Sequence, residues 1–285
     1  MKPLILDFDG AVKTLPNELR IDLHNWQETL RFSCRNNALK RLENNIEDTL
    51  AVPHDTVFLG SGDYHHISHL LIRRYASKGQ SLQVVVFDNH PDNMRYPFGL
   101  HCGSWVWHVS RLKFVSQIHV LGITSRDVEA MHGWENHLRN LRSGKVCYWC
   151  VGSNLNWMRS LGISHSHSFA SADSLLDAFS GHLELCNDPI YLSIDKDVLS
   201  VDEARTNWDQ GVMRLAEMKV AITALKNRII GSDVTGEVSV YHYQSRLKRL
   251  LSGLDAQPRI VEADLQQWQS AQQAINLELL QVLAD

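Results

Sequence analysis

The sequence predicts an α/β domain built on a mainly parallel sheet. Three observations carry this. Segments of strand character alternate with helical segments along the whole chain, the pattern that produces βαβ units. Four separate strands run out into clusters of acidic residues and histidine, as ligand-bearing strands do at the carboxyl edge of a parallel sheet. The 285 residues contain no internal repeat and no low-complexity linker, so residues 1–285 read as one domain.

Taken in order, residues 4–8 are an apolar strand that ends in Asp7-Phe8-Asp9-Gly10. Residues 14–50 are a polar connection and then helix, with Trp26, Leu30, Phe32, Leu39, Leu42 and Ile46 at mixed helical spacing. Residues 56–59 form a short strand. Gly60 and Gly62 let the chain turn at its end, and His65 and His66 open a helix over 67–76. Residues 82–87 are the next strand, followed by a loop with His101 and a helix starting near Gly103. Strands are expected at 117–123, 146–151, 189–197 and 228–234, and helices at 126–142, 171–185, 211–227, 241–251 and 264–283. Residues 155–161 are helical or irregular, and Ser164-His165-Ser166-His167-Ser168 is a surface loop.

Composition excludes several classes. A 44% hydrophobic, 21% charged chain is ordinary globular protein. A net charge of −4 gives no basic field for nucleic acid or anionic lipid. The basic run Arg246-Leu247-Lys248-Arg249 reads as a solvated helix face. Cys34, Cys102, Cys147, Cys150 and Cys186 are odd in number and widely spaced, which argues against a disulfide framework. Cys147 and Cys150 form a CxxC inside an apolar run, so buried thiols fit better than a redox or zinc pair. No secretory signal and no apolar run near the ~18 residues of a membrane span is present. A reducing cytoplasmic setting is expected.

The chemistry concentrates in Val84-Val85-Val86-Phe87-Asp88-Asn89-His90-Pro91-Asp92. Asp88, His90 and Asp92 alternate, so on a strand they face the same way. Pro91 cannot donate to a ladder and marks the strand's end. Two carboxylates and an imidazole suit a divalent cation such as Mn, Fe or Zn. A strand running into a polar turn has the same pattern, so partners elsewhere decide between the two. Those partners are present: Asp195 and Asp197 end a second strand, Glu237 follows a third, and His65 or His66 follows a fourth.

In this joint order the chain resembles the ureohydrolase superfamily, the arginases, agmatinases and related amidino hydrolases. Asp88-Asn89-His90-Pro91-Asp92 matches that family's Asp-x-His-x-Asp, and Ser193-Ile194-Asp195-Lys196-Asp197 matches its Ser-x-Asp-x-Asp. Gly62-Asp63-Tyr64-His65 is similar to its Gly-Gly-Asp-His, with one residue inserted. The resemblance implies a three-layer αβα, arginase-like fold and two Mn²⁺ ions per chain. It implies that His65, Asp88, Asp92 and Asp195 hold one ion, and that His90, Asp88, Asp195 and Asp197 hold the other. His65 is the better match and His66 the alternative ligand. The resemblance also implies that Glu237 grips a cationic amidino head and that His101 passes protons to the leaving amine. The implied activity is hydrolysis of a C–N bond in a small guanidino or other linear amidine, releasing urea or a related product. Homo-oligomers are common in the family and are a partner class here.

Two features depart from the family. The Asp-Pro after the second acidic motif is absent, and Thr206-Asn207-Trp208-Asp209-Gln210-Gly211 replaces its Thr/Gly/Pro-rich segment. Trp208 and Asp209 either shape a different pocket or, for Trp208, pack. Asp7-Phe8-Asp9-Gly10 separately resembles the first motif of haloacid-dehalogenase-type phosphohydrolases, where the first Asp is a nucleophile and the second a general acid beside magnesium. That alternative lacks a late Asp-Asp pair. A non-catalytic metal-binding protein on the arginase fold is the other.

Overall fold

The run Val84-Val85-Val86 explains the architecture. β-branched residues are stiff at χ1 and favour extended chain. A strand apolar on both faces is stable only where helices cover both sides of the sheet. The structure, a computed structural model, describes residues 2–183, 187–254 and 260–284. Cys186 and the end of the helix expected over 171–185 lie outside these residues.

The strands in chain order are β1 Leu4–Asp7, β2 Leu19–Asp22, β3 Ser33–Cys34, β4 Thr56–Phe58, β5 Leu82–Phe87, β6 Leu100–His101, β7 Val115–Ile123, β8 Val146–Val151, β9 His167–Phe169, β10 Ile190–Asp195 and β11 Ile229–Thr235. Nine of them form one sheet in the order β2-β1-β4-β11-β10-β5-β7-β8-β9. Every pairing within it is parallel. β3 and β6 form a separate antiparallel ladder that sets His101 opposite Ser33.

Alternate residues of β5 enter two different cores. Val84 and Val86 pack with Leu39, Leu42 and Ile46 of the helix Asn36–Ala51 and with Leu70 and Trp105. Val85 and Phe87 pack with Leu175 and Phe179 of Ala172–Leu183, Met218 and Ile222 of Leu215–Leu225, and Leu279 of Glu262–Ala284. The result is the three-layer αβα arrangement. Cys147 and Cys150 also separate this way, one into each core. Three residues apart on a strand, they face opposite sides of the sheet and cannot act as a pair.

Some expectations change. β2 lies within the stretch read as a polar connection; its Leu19/Ile21 alternation is only four residues long, at the sheet's edge. The helix expected over 126–142 is two 3₁₀ turns and a short α-helix, Leu138–Arg142. Tertiary bonds override the helical pattern there: Asn136 donates to Asp127 O at 2.8 Å and accepts from the Tyr148 hydroxyl at 2.9 Å. Residues 167–169 of the expected histidine-rich loop belong to edge strand β9. The helix expected over 241–251 runs Arg246–Leu254 instead. Just before it, the Gln244 and Ser245 amides and the Tyr241 hydroxyl all bind the Glu28 carboxylate. Lys248 is not on a solvated face; its ammonium donates to the carbonyls of Glu28, Thr29 and Arg31.

Candidate metal centre

The carboxyl ends of β4, β11, β10, β5 and β7 are neighbours in the sheet. The segments that leave them hold His65, Glu237, Asp195 with Asp197, Asp88 to Asp92, and Asp127. A cavity of about 520 Å³ lies over this edge. His65, Asp88, His90, Asp92, Asp195, Asp197 and His101 all line it. Such a position, outside the strand ends of a parallel sheet, is where ligands bind in α/β proteins.

His65 Nδ1 lies 3.2 Å from Asp88 Oδ2, 3.1 Å from Asp92 Oδ2 and 3.5 Å from Asp195 Oδ2. His90 Nδ1 lies 2.9 Å from Asp197 Oδ2 and 3.6 Å from Asp88 Oδ1. Asp88 therefore turns one oxygen toward each histidine. Between His65 and His66, geometry favours His65: His66 is fully buried, and among the described residues neither of its ring nitrogens has a hydrogen-bond partner.

Local sequence builds this geometry. Gly236, at φ +88°, brings its backbone so close to Asp195 that a Cβ would meet Oδ1 at 2.4 Å. Gly62 is similarly tight, with Asp195 Oδ2 at 2.9 Å and the Trp208 ring at 3.1 Å. Asp92 follows Pro91 at φ +46°, a left-handed conformation costly for a residue with a Cβ. It is held there by Trp105 Nε1, which donates to Asp92 Oδ2 at 2.6 Å, and by Val106 N–H, which donates to Asp92 O at 3.0 Å. Trp105 is a contact to a candidate ligand that sequence reasoning missed.

The electrostatics of the cluster follow from burial and crowding. Burial, and then the charge of Asp88, push the Asp92 carboxyl up to about 7. Burial pushes Asp195 up to about 6, and Asp197 also rises well above the carboxylate range. Burial opposes charge on His65 and His90, but the adjoining carboxylates outweigh it and hold both well above the usual histidine range. Gathered this closely, the carboxylates favour a compensating positive charge. Divalent cations would supply it, displacing protons as they bind.

The residues present fit such cations. His65, Asp88 and Asp195 form one group whose donor atoms lie within 4.8 Å of one another, and Asp88, His90 and Asp197 form a second. Asp88 belongs to both. Among the described residues, neither His65 Nδ1 nor Asp88 Oδ2, both buried, has a hydrogen-bond partner. Asp195 joins only the His65 group; its Oδ1 accepts the Asp197 N–H at 3.0 Å.

His101 sits on the cavity wall with its ring edge-on to Phe32 at 4.2 Å and tilted against Tyr96 at 4.9 Å. Its Nδ1 accepts the Gly103 N–H at 2.8 Å. That contact puts the proton of the neutral ring on Nε2.

Glu237 has another partner than the expected one. It is 1% exposed and does not line the cavity. Its Oε1 is 2.5 Å from Lys196 Nζ and accepts from Asn276 Nδ2 at 2.6 Å. Lys196, between the two acids of the second motif, supplies from within the chain the cation that a substrate was expected to bring. A lysine at that buried strand end was the readable signal.

Asp7 and Asp9 lie away from the cavity lining. Asp7 pairs with Arg20 at 2.6 Å, and Asp9 accepts from Ser239 Oγ at 2.6 Å and Ser61 N at 3.2 Å. Both carboxylates are engaged in these bonds and not in the cavity that gathers the other acids.

Residues 14–240 match the sequence profile of the Arginase family. An uncharacterised protein of Thermotoga maritima is 26% identical over 237 residues, 82% of this chain and 78% of its own. Among solved structures, proclavaminate amidino hydrolase from Streptomyces clavuligerus superposes with a TM-score of 0.55 at 16% identity, covering 95% of this chain and 92% of its own. The Mn²⁺-containing formiminoglutamase of Trypanosoma cruzi does so with a TM-score of 0.51 at 14% identity, covering 89% and 73%. The profile spans most of the sequence, the fold is shared, and the acidic clusters meet at one sheet edge: the chain belongs to the arginase family.

Proposed function

We propose that the chain is a single-domain, manganese-dependent hydrolase that cleaves a C–N bond in a small guanidino or other linear amidine, releasing urea or a related product. The observation that carries this is the convergence of His65, Asp88, His90, Asp92, Asp195 and Asp197 on one cavity, with two donor groups that share Asp88. His65, Asp88, Asp92 and Asp195 would hold one ion. His90, Asp88 and Asp197 would hold the other, with Asp195 reaching across from the first. Carboxylate-rich sites with two imidazoles suit manganese. When bound, the ions would polarise the substrate and supply a water acidic enough to attack near neutral pH.

The chain's own residues do the rest. His101, whose Nδ1 accepts the Gly103 N–H, would assist the leaving amine as an Nε2–H hydrogen-bond donor; passing it a full proton would require the ring to release Gly103 and be protonated at Nδ1 first. Trp208 borders the cavity, where an aromatic ring would favour a cationic substrate. Glu237 acts from behind the site through Lys196 and does not touch the substrate. The described cysteines are free, buried thiols, which supports a reducing cytoplasmic setting. No helix among the described residues is long and apolar enough to cross a membrane. Partners would be the small substrate and, as is common in the family, further copies of the chain, with no nucleic acid or membrane.

The test is release of urea, ammonia or free amine by manganese-reconstituted protein across a panel of guanidino and formimino compounds, with metal content measured in the same sample. Turnover that tracks manganese is expected. Two bound ions with no product from any compound would leave a non-catalytic binding protein instead.

A further inference from the structure

The two histidines of the centre are anchored in opposite ways. His65 Nε2 lies 2.9 Å from Ser193 Oγ, which donates to Asp233 Oδ1 at 2.7 Å. Ser193 and Asp233 are fully buried, and both belong to sheet strands. His90 Nε2 lies 2.8 Å from Asp209 Oδ1, and that side chain is 66% exposed. Asp209 comes from the segment that departs from the family pattern. It is nevertheless fixed. Asn89 Nδ2 donates to the Asp209 carbonyl at 3.0 Å and to its Oδ2 at 3.2 Å. Asn89 is itself buried, with its N–H on Asp197 Oδ1 at 3.0 Å and its Oδ1 accepting from Thr124 Oγ1 at 2.6 Å. Behind Asp209, Gly211 N–H donates to Asp197 O at 2.7 Å. Only glycine fits there, since a Cβ would meet Val198 O at 2.4 Å.

One loop residue is thus tied to both protein donors unique to the second ion, His90 directly and Asp197 through Asn89. A carboxylate on the far nitrogen of a ligating histidine fixes the ring's orientation and raises its basicity as a donor. We propose that Asp209 is the positioning residue of the His90 half-site, and that this exposed carboxylate sets the affinity for the second cation while leaving the His65 half-site intact. The proposal rests on the two-ion reading of the centre.

The experiment titrates manganese into metal-free wild type, Asp209→Ala, Asp209→Asn and Asp209→Glu. Bound ions per chain are counted after equilibrium dialysis, and electron paramagnetic resonance separates a coupled ion pair from a lone ion. Asp209→Ala is expected to weaken one ion about 10- to 100-fold, the range for loss of such an outer partner, with the other unchanged. At manganese levels that fill only the tighter site, the coupled-pair signal vanishes and a lone-ion signal remains. Asp209→Asn, which keeps an acceptor without the charge, falls between, and Asp209→Glu restores part of the affinity. Two equally tight ions in Asp209→Ala would overturn the proposal while leaving the two-ion reading standing. Fewer than two ions in wild type at saturating manganese would overturn the two-ion reading itself.

Discussion

The two halves of the centre use the same ligand chemistry but different supports. The His65 half is built inward: serine, then aspartate, then the β10–β11 sheet, all shielded from water. The His90 half is built outward, onto a loop carboxylate that faces solvent. A hydrogen-bonded relay in a dry core strengthens with the low local dielectric and rigidifies the fold. An exposed carboxylate is screened and carries little folding energy. The inner half should therefore be coupled to protein stability and the outer half to metal exchange.

The largest effect should come from the residue the halves share. Asp88→Ala removes an oxygen from each side, so both half-sites should fail together and turnover should fall by on the order of 10⁴-fold, as for an essential catalytic group. Assay and metal counting on one sample check this; retention of two ions would break the comparison at its hinge. Next is Lys196→Met, which strands the buried Glu237 carboxylate. Breaking a buried pair from one side costs about 3–5 kcal/mol, and a Lys196→Met/Glu237→Gln double variant should recover much of it. Denaturant melts of the metal-free proteins measure both. Ser193→Ala should cost about 1–3 kcal/mol by leaving His65 Nε2 unsatisfied and Asp233 with only the Ser68 and Tyr191 hydroxyls. Asp209→Ala should leave the same melt almost unmoved, and equal costs for the two would erase the distinction between inner and outer halves.

The smallest effect is a sign. Without metal, Asp92 and Asp195 hold protons up to about 7 and about 6, mainly through burial, and His65 and His90 are also raised. The folded state then binds more protons than the unfolded state between about pH 4 and 7. Stability of the metal-free protein should fall as pH rises through that window. With saturating manganese it should rise instead, because cations replace those protons. Melting temperatures with manganese and with a chelator, at about pH 5, 6 and 7, give the two slopes. Parallel slopes would mean that the carboxylates are not the metal's seat.

The fold and the candidate ligand set were legible because both follow from period and position. Asp88, His90 and Asp92 alternate beyond a valine run, and Asp195 and Asp197 repeat the pattern, so one sheet edge had to gather them. What lay hidden was lateral. Trp105 reaches Asp92 across 13 residues of loop and helix, and Asp209 reaches His90 across 119. No periodicity encodes such contacts. Glu237 shows the opposite case. Its position matched a family role, but its charge is answered by Lys196, a residue that lies between two motif acids and belongs to no motif itself. The helix read over 126–142 failed for a related reason, since Asn136 spends its amide on Asp127 and Tyr148.

The Lys196–Glu237 pair has a consequence in time. Its third member, Asn276, is 80 residues further along the chain than Lys196 and sits on the helix Glu262–Ala284. Until that helix has left the ribosome and docked, an ammonium and a carboxylate beside the acidic strand end lack their full set of bonds. Lys196, between Asp195 and Asp197, gains its last hydrogen bond only then. A ribosome-bound chain whose residue 276 has not yet emerged should therefore lack the finished Lys196–Glu237–Asn276 set behind the acidic strand end.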